Sequence, residues 1–312
     1  MEEAKRLPFA AGFRELWLLV LSARPRQWSK NLIIYFAFFF AINRLWDSDD
    51  LASVVAPFSR ATIAFLLFCA VSGAVYLLND WADLKGDRVH ATKRHRPLAS
   101  GQLRLPIAVA GAAVLLTTGL AGAFLLEPWF GVTVAAYLAL MVAYSLAIKR
   151  IAILDVMAIS AGFVLRAAAG AVAIGVPVSG WLYVTTSLGA LFIGFGKRRN
   201  ELQLGGDGAE EQRGALRGYS QRLLDRLLAV TAGATVIAYV LYTFTAGNLP
   251  GNHAMMLTIP MVVFGLARYV YLIQRRSLGE SPEDVFLSDV PLIISILLWL
   301  AMAASVLRFY GT

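Results

Sequence analysis

Asn79-Asp80-Trp81-Ala82-Asp83-Leu84-Lys85-Gly86-Asp87 follows an apolar run from Pro57 to Leu78 and precedes a basic stretch from His90 to Arg96. An apolar segment long enough to cross a bilayer thus ends in a dense cluster of oxygen donors. If the segment continues as a helix, Asn79, Asp83 and Asp87 recur at i, i+4 and i+8, within an arc of roughly 80°. Three oxygen ligands on one face, with Asp80 as a further candidate and Lys93, Arg94 and Arg96 close behind, are an inventory for holding Mg²⁺ together with a phosphorylated substrate. The competing reading is a solvated helix end with ordinary juxtamembrane charges.

Working outward, the composition sets the class. The 312 residues are 58% hydrophobic and 15% charged, with a mean hydropathy of +0.65, the profile of a polytopic membrane protein. Windows able to cross a hydrocarbon core of about 30 Å fall near residues 28–45, 57–78, 105–126, 129–148, 153–175, 180–196, 226–246, 254–273 and 288–309. The expected fold is all-α, with nine transmembrane helices in a single membrane domain spanning 1–312. Lys and Arg crowd the N-terminal segment and the segments after the second, fourth, sixth and eighth spans, which orients the N-terminus and the polar loops to the cytoplasm and the C-terminus outside. Residues 1–27 read as an amphipathic cytoplasmic segment on the membrane surface, and residues 79–104 and 197–225 as cytoplasmic polar loops.

Several chemistries find no support. The net charge of +8 gathers on one face, where membrane lipid headgroups and anionic substrates account for it and no nucleic acid is needed. No cleavable signal peptide is visible. Cys69 is alone, His90, His95 and His253 are scattered, and no Gly-rich phosphate loop or nucleophile elbow is present.

The string from Asn79 to Asp87, continued by Asp87-Arg88-Val89-His90 and Lys93-Arg94-His95-Arg96-Pro97-Leu98-Ala99-Ser100-Gly101, resembles the first aspartate-rich motif of the UbiA superfamily of intramembrane prenyltransferases. Tyr144-Ser145, Lys149-Arg150 and Asp155 resemble that superfamily's junction between the fourth and fifth helices. The resemblance implies a UbiA-like bundle around a central cavity open to the cytoplasm and to lipid, with Mg²⁺ holding a diphosphate between two polar loops.

One departure narrows the expectation. Most of the superfamily carries a second aspartate-rich motif after the sixth helix, where this chain reads Gly196-Lys197-Arg198-Arg199-Asn200-Glu201-Leu202. That basic variant, with Arg24-Pro25-Arg26-Gln27-Trp28 and the run from Gly162 to Gly170, resembles the decaprenyl-phosphate phosphoribosyltransferase branch. The branch implies phosphoribosyl diphosphate as donor, a polyprenyl phosphate as acceptor, and a place in cell envelope biosynthesis at the plasma membrane. Prenyl transfer to an aromatic acceptor is the alternative within the superfamily, and a transporter the alternative outside it. A homo-oligomer is left open.

In this scheme Asp83 and Asp87, with Asn79 and Asp80, are the metal ligands; Lys197 and Arg198 bind the diphosphate or the 5-phosphate. Lys93 and Arg96 would grip the 5-phosphate, or only follow the positive-inside bias. Tyr144 and Lys149 would cap the leaving group, or be only an interfacial Tyr and a snorkelling Lys; Asp155 would orient Lys149 or the ribose, and Glu201 would touch a ribose hydroxyl or pair with Lys197. Arg24, Gln27 and Lys30 sit where a lipid phosphate enters, or only contact lipid headgroups. Arg166, mid-span and on the same helical face as Asp155, must be paired or reach a wet cavity; a substrate phosphate and helix-end carbonyls are its two expected partners.

Overall fold

A computed structural model describes residues 8–90, 92–177, 180–205, 214–247, 249–276, 285–286 and 288–310. These are almost wholly helical. In chain order the helices are α1 (Pro8–Ser22), α2 (Tyr35–Phe39), α3 (Leu51–Ala82), α4 (Leu84–Val89), α5 (Leu105–Leu126), α6 (Pro128–Leu146), α7 (Leu154–Ile174), α8 (Gly180–Gly205), α9 (Gln221–Thr245), α10 (Ile259–Arg276) and α11 (Val290–Tyr310). Among the described residues, seven helical stretches are long and apolar enough to cross a membrane: α3, α5, α6, α7, α9, Ala254–Gln274 and α11. Helix α8, with 26 residues, has the length but is interrupted by Lys197, Arg198 and Arg199, so its apolar content falls short.

The expected first span, 28–45, is not a continuous helix. Pro25–Ile34 is a 3₁₀ segment and α2 adds only five residues. Asn31 is 1% exposed, so its polar side chain is turned into protein rather than lipid. The segment lies so close to α7 that a Cβ on Gly170 would stand 2.1 Å from the Ile34 carbonyl oxygen. Only a glycine allows that approach. The run from Pro25 to Phe39 therefore docks into the bundle as a broken strap.

The expected polar loop 197–225 also changes. α8 continues through Lys197–Leu202 to Gly205, a 3₁₀ turn covers Gly214–Gly218, and α9 opens at Gln221. Good helix formers and the i,i+3 pair Arg198–Glu201 carry α8 onward; Ser220 caps α9 by accepting from the Leu223 N–H.

Helices pack largely on their chain neighbours, with α5 against α3 and α6, α7 against α6 and α8, and α8 against α9. One apolar cluster joins Ile34 to α3, α6 and α7 through Phe68, Phe130, Val134, Tyr137 and Ala169. Another joins α8 to α9, α10 and the 214–219 segment through Phe192, Leu216, Leu224 and Leu272. Contacts of Asn43 and Arg44 with Leu307, Arg308 and Gly247 tie one end of the bundle together. The aspartate-bearing end of α3 lies at the other, beside the starts of α5 and α7.

Candidate active site

The acidic cluster sits where α3 gives way to α4. Asp83 closes α3 with φ −90° and ψ 4°, although the Asn79 carbonyl still accepts from the Asp83 N–H and the Asp83 carbonyl from the Asp87 N–H, both at 2.9 Å. The carboxylates divide into two groups. Asp83, whose side chain is 49% exposed, faces Lys149 with Nζ 3.3 Å from Oδ1. Beside it Ser145 Oγ donates to Asn79 Oδ1 at 2.8 Å. Asp80 and Asp87 are buried and bridged by Arg96, whose Nη1 is 3.1 Å from Asp80 Oδ1 and 2.6 Å from Asp87 Oδ2. Arg24 Nη2 approaches the same Asp80 oxygen at 2.5 Å. Asn79, Asp80, Asp83, Asp87, Arg96 and Lys149 are thus brought together from α3, α4, the segment around Arg96 and the α6–α7 turn.

No group of three His, Cys, Asp or Glu side chains stands close enough to cage a metal among the described residues. The donor chemistry nonetheless suits Mg²⁺, a hard cation that usually takes one or two protein carboxylates and completes its shell with water and substrate phosphate oxygens. The divided cluster offers that, and not an all-protein cage.

A second network lies deeper. Asp155, at the start of α7, is 0% exposed; its Oδ2 accepts from Arg198 Nε at 2.6 Å and its Oδ1 from the Tyr219 hydroxyl at 2.8 Å. Arg198 also donates Nη1 to Glu201 Oε2 at 2.5 Å. Tyr219 in turn accepts from the Ile153 backbone N–H at 2.6 Å, and Ile153 holds a left-handed φ of 69°, a strained conformation for a β-branched residue. Burial pushes the Tyr219 phenol above its ordinary range, and the Asp155 carboxylate adds to the rise, so the hydroxyl remains a donor. Arg198 is itself 1% exposed. Asp155 and Glu201 supply the charge that a buried guanidinium requires. Arg199 is paired likewise, with Nε 2.5 Å from Asp225 Oδ1. Lys93, Tyr144 and Lys197 are half-buried, and Tyr144 lies within electrostatic reach of Arg198.

Arg166 is 6% exposed. Nε donates to Asn31 Oδ1 at 2.7 Å, Nη1 to the Gly162 carbonyl at 3.0 Å, and Nη2 to the Tyr137 hydroxyl at 2.8 Å. The rings of Tyr137, Phe163 and Phe68 surround it, 4.6 to 5.6 Å from the guanidinium carbon. The Gly162 carbonyl lies inside α7, not at a helix end, and the bond to Asn31 adds a clasp on the strap. Lys30, in the same strap, reaches Gln27 Oε1 at 2.5 Å. Asn31, Tyr137 and Tyr219 were not marked by the sequence; only the need of Arg166 and Asp155 for partners pointed toward such residues.

Beyond Phe163 opens a chamber of about 820 Å³, lined mainly by apolar residues such as Phe36, Phe40, Ile193, Tyr242 and Trp299 and reaching Arg44 and Gly247 at the far end. None of the four acidic-cluster residues lines it.

Residues 51–290 match the model of the UbiA prenyltransferase family. The chain belongs to the UbiA prenyltransferase family. Among curated UbiA-type relatives, decaprenyl-phosphate phosphoribosyltransferase of Mycobacterium tuberculosis (strain ATCC 25618 / H37Rv) is 33% identical over 291 residues, 93% of this chain and 94% of the relative. The protein of the same name from Mycolicibacterium smegmatis is 33% identical over 299 residues, 93% of this chain and 92% of the relative. A UbiA homolog from Archaeoglobus fulgidus, solved bound to GPP and Mg²⁺, superimposes with a TM-score of 0.69 at 19% identity, covering 93% of this chain and 99% of that one. The protein is a membrane-embedded transferase with the UbiA fold.

Proposed function

We propose that this enzyme transfers 5-phosphoribose from phosphoribosyl diphosphate to a polyprenyl phosphate and releases diphosphate, on the cytoplasmic side of the cell membrane. The observation that carries the reading is the 33% identity, over 93% of the chain, to relatives named decaprenyl-phosphate phosphoribosyltransferase. The basic Lys197–Arg199 stretch in place of a second acidic motif supports it, though less directly than charge alone suggests, since Arg198 and Arg199 are held in ion pairs.

Displacement at the anomeric carbon builds negative charge on the leaving diphosphate and positive charge on the ribose. Asp83 and Asp87, with Asn79 as a neutral oxygen donor, would hold Mg²⁺, whose chemistry there is neutralisation of the diphosphate. Lys149, beside Asp83, contributes a cation to the same leaving group, and Lys93 and Arg96 offer donors to phosphate oxygens. The Asp155–Arg198–Tyr219 network fixes the α6–α7 turn that carries Lys149, and Arg166 fixes the strap that carries Lys30. The acceptor phosphate is already an anion, so no strong general base is required.

Diphosphate release measured with purified enzyme in detergent tests the reading. Release should require both phosphoribosyl diphosphate and a polyprenyl phosphate. Equal release from geranyl or farnesyl diphosphate with an aromatic acid, and none from phosphoribosyl diphosphate, would replace it with ordinary prenyl transfer.

A further inference from the structure

Two arginines converge on one buried carboxylate oxygen. Arg24 Nη2 and Arg96 Nη1 stand 2.5 and 3.1 Å from Asp80 Oδ1. The Asp80 side chain is 3% exposed, whereas those of Arg24 and Arg96 are 30% and 29% exposed. The acid therefore lies beneath and the two cations lie partly open above it. Like charges hold so close an arrangement only around a shared counter-ion, and that is what Asp80 supplies.

The backbone is bent to produce this convergence. Arg24 adopts φ 56° and ψ 65° immediately before Pro25, a left-handed conformation that a non-glycine residue enters only at a cost. Its guanidinium lies over the Tyr76 ring at 4.8 Å. The neighbouring Ala23 Cβ would be 3.1 Å from a Cβ placed on Gly73, so the α1 corner is seated tightly on α3. A guanidinium carries five N–H donors in a planar fork. Among the described residues the Arg24 guanidinium donates to Asp80 and the Arg96 guanidinium to Asp80 and Asp87, which leaves N–H donors on both forks.

We propose that Arg24 and Arg96 form a phosphomonoester site and that Asp80 is its anchor, not a metal ligand. Two arginines against Asp80 and Asp87 are neutral at rest. With Asp87 engaged by a divalent cation the pair would carry a net positive charge suited to a phosphate dianion, and two planar forks match its oxygens better than a point charge would. The proposal rests on the phosphoribosyl reading only for which substrates bring such a group: the terminal phosphate of the acceptor lipid or the 5-phosphate of the donor. Asp80 is a positioning residue in either case.

The test is equilibrium binding of farnesyl monophosphate and of ribose 5-phosphate to purified protein in the presence of Mg²⁺, with farnesol as the control for chain binding. Arg24→Gln and Arg96→Gln should each weaken a phosphomonoester by about tenfold or more, the worth of one charge-assisted bond, and leave farnesol unchanged. Loss for farnesyl monophosphate alone assigns the acceptor; loss for ribose 5-phosphate alone assigns the donor. Asp80→Asn should weaken the same ligand while the Mg²⁺ concentration needed for turnover stays within twofold of native. If Arg24→Gln does not fold, Arg24→Lys, which keeps charge but removes the fork, should show a smaller loss. Folded variants that bind both probes like the native protein overturn the proposal, as does a tenfold rise in Mg²⁺ requirement for Asp80→Asn. Because binding needs no transfer, a wrong donor would leave this result standing.

Discussion

Replacing Arg166 with methionine removes a buried cation and keeps a chain of similar length. Asn31 Oδ1, in a residue 1% exposed, loses its donor at 2.7 Å, and the Tyr137 hydroxyl loses one at 2.8 Å. Hydrogen bonds to a charged group contribute about 1.5–3 kcal/mol each, and three rings lose a cation–π partner worth about 0.5–2 kcal/mol. Relief of burying a guanidinium offsets much of this. The expected net loss is about 2–4 kcal/mol. Arg166→Met, Asn31→Leu and the double variant form a cycle, with unfolding followed by circular dichroism during SDS titration in mixed micelles. A coupling energy of about 1.5–3 kcal/mol is expected. Additivity within about 0.5 kcal/mol, with Arg166→Met as stable as the native protein but inactive, would refute the clasp and return Arg166 to substrate contact.

The remaining predictions concern the acidic end, the deep ion pair and the strap. Asp83→Asn should abolish most turnover with unchanged unfolding, and EDTA should do the same to the native enzyme; full turnover in the variant would remove Asp83 from the site. Arg198→Ala removes the cation paired with the buried Asp155 carboxylate and should destabilise by about 3–5 kcal/mol, whereas Tyr219→Phe should lose about 1–3 kcal/mol; a well-folded Arg198→Ala enzyme with a raised donor KM would make Arg198 a substrate ligand instead. Gly170→Ala drives a methyl into the Ile34 carbonyl at 2.1 Å and should lower the melting temperature more than Gly73→Ala, whose methyl meets Ala23 Cβ at 3.1 Å; the reverse order would contradict the docking of the strap.

What was legible in the sequence was what local pattern encodes. Long apolar windows marked α3, α5, α6, α7, α9, the Ala254–Gln274 span and α11, and the oxygen donors from Asn79 to Asp87 were visible in motif spacing, whereas Lys149 entered only through the family resemblance. Residues 28–45 misled because hydrophobicity does not distinguish a spanning helix from a strap buried by protein; Asn31 was the signal, meaningful only once Arg166 and Ser72 are seen against it. The charge of Lys197–Arg199 was legible, but its use was not. Whether Arg198 meets a phosphate or a carboxylate depends on Asp155, 43 positions away, and on Tyr219, which no motif ties to either. The two-group division of the aspartates was hidden for a similar reason, since Arg24 reaches Asp80 across 56 positions.

The central claim is the nature of the transferred group, and mass spectrometry of the lipid product reads it directly. Purified enzyme supplied together with phosphoribosyl diphosphate, farnesyl diphosphate, a polyprenyl phosphate and 4-hydroxybenzoate should yield a polyprenyl phosphate heavier by one phosphoribosyl group and no prenylated aromatic acid. A prenylated acid with the polyprenyl phosphate unchanged would contradict the account.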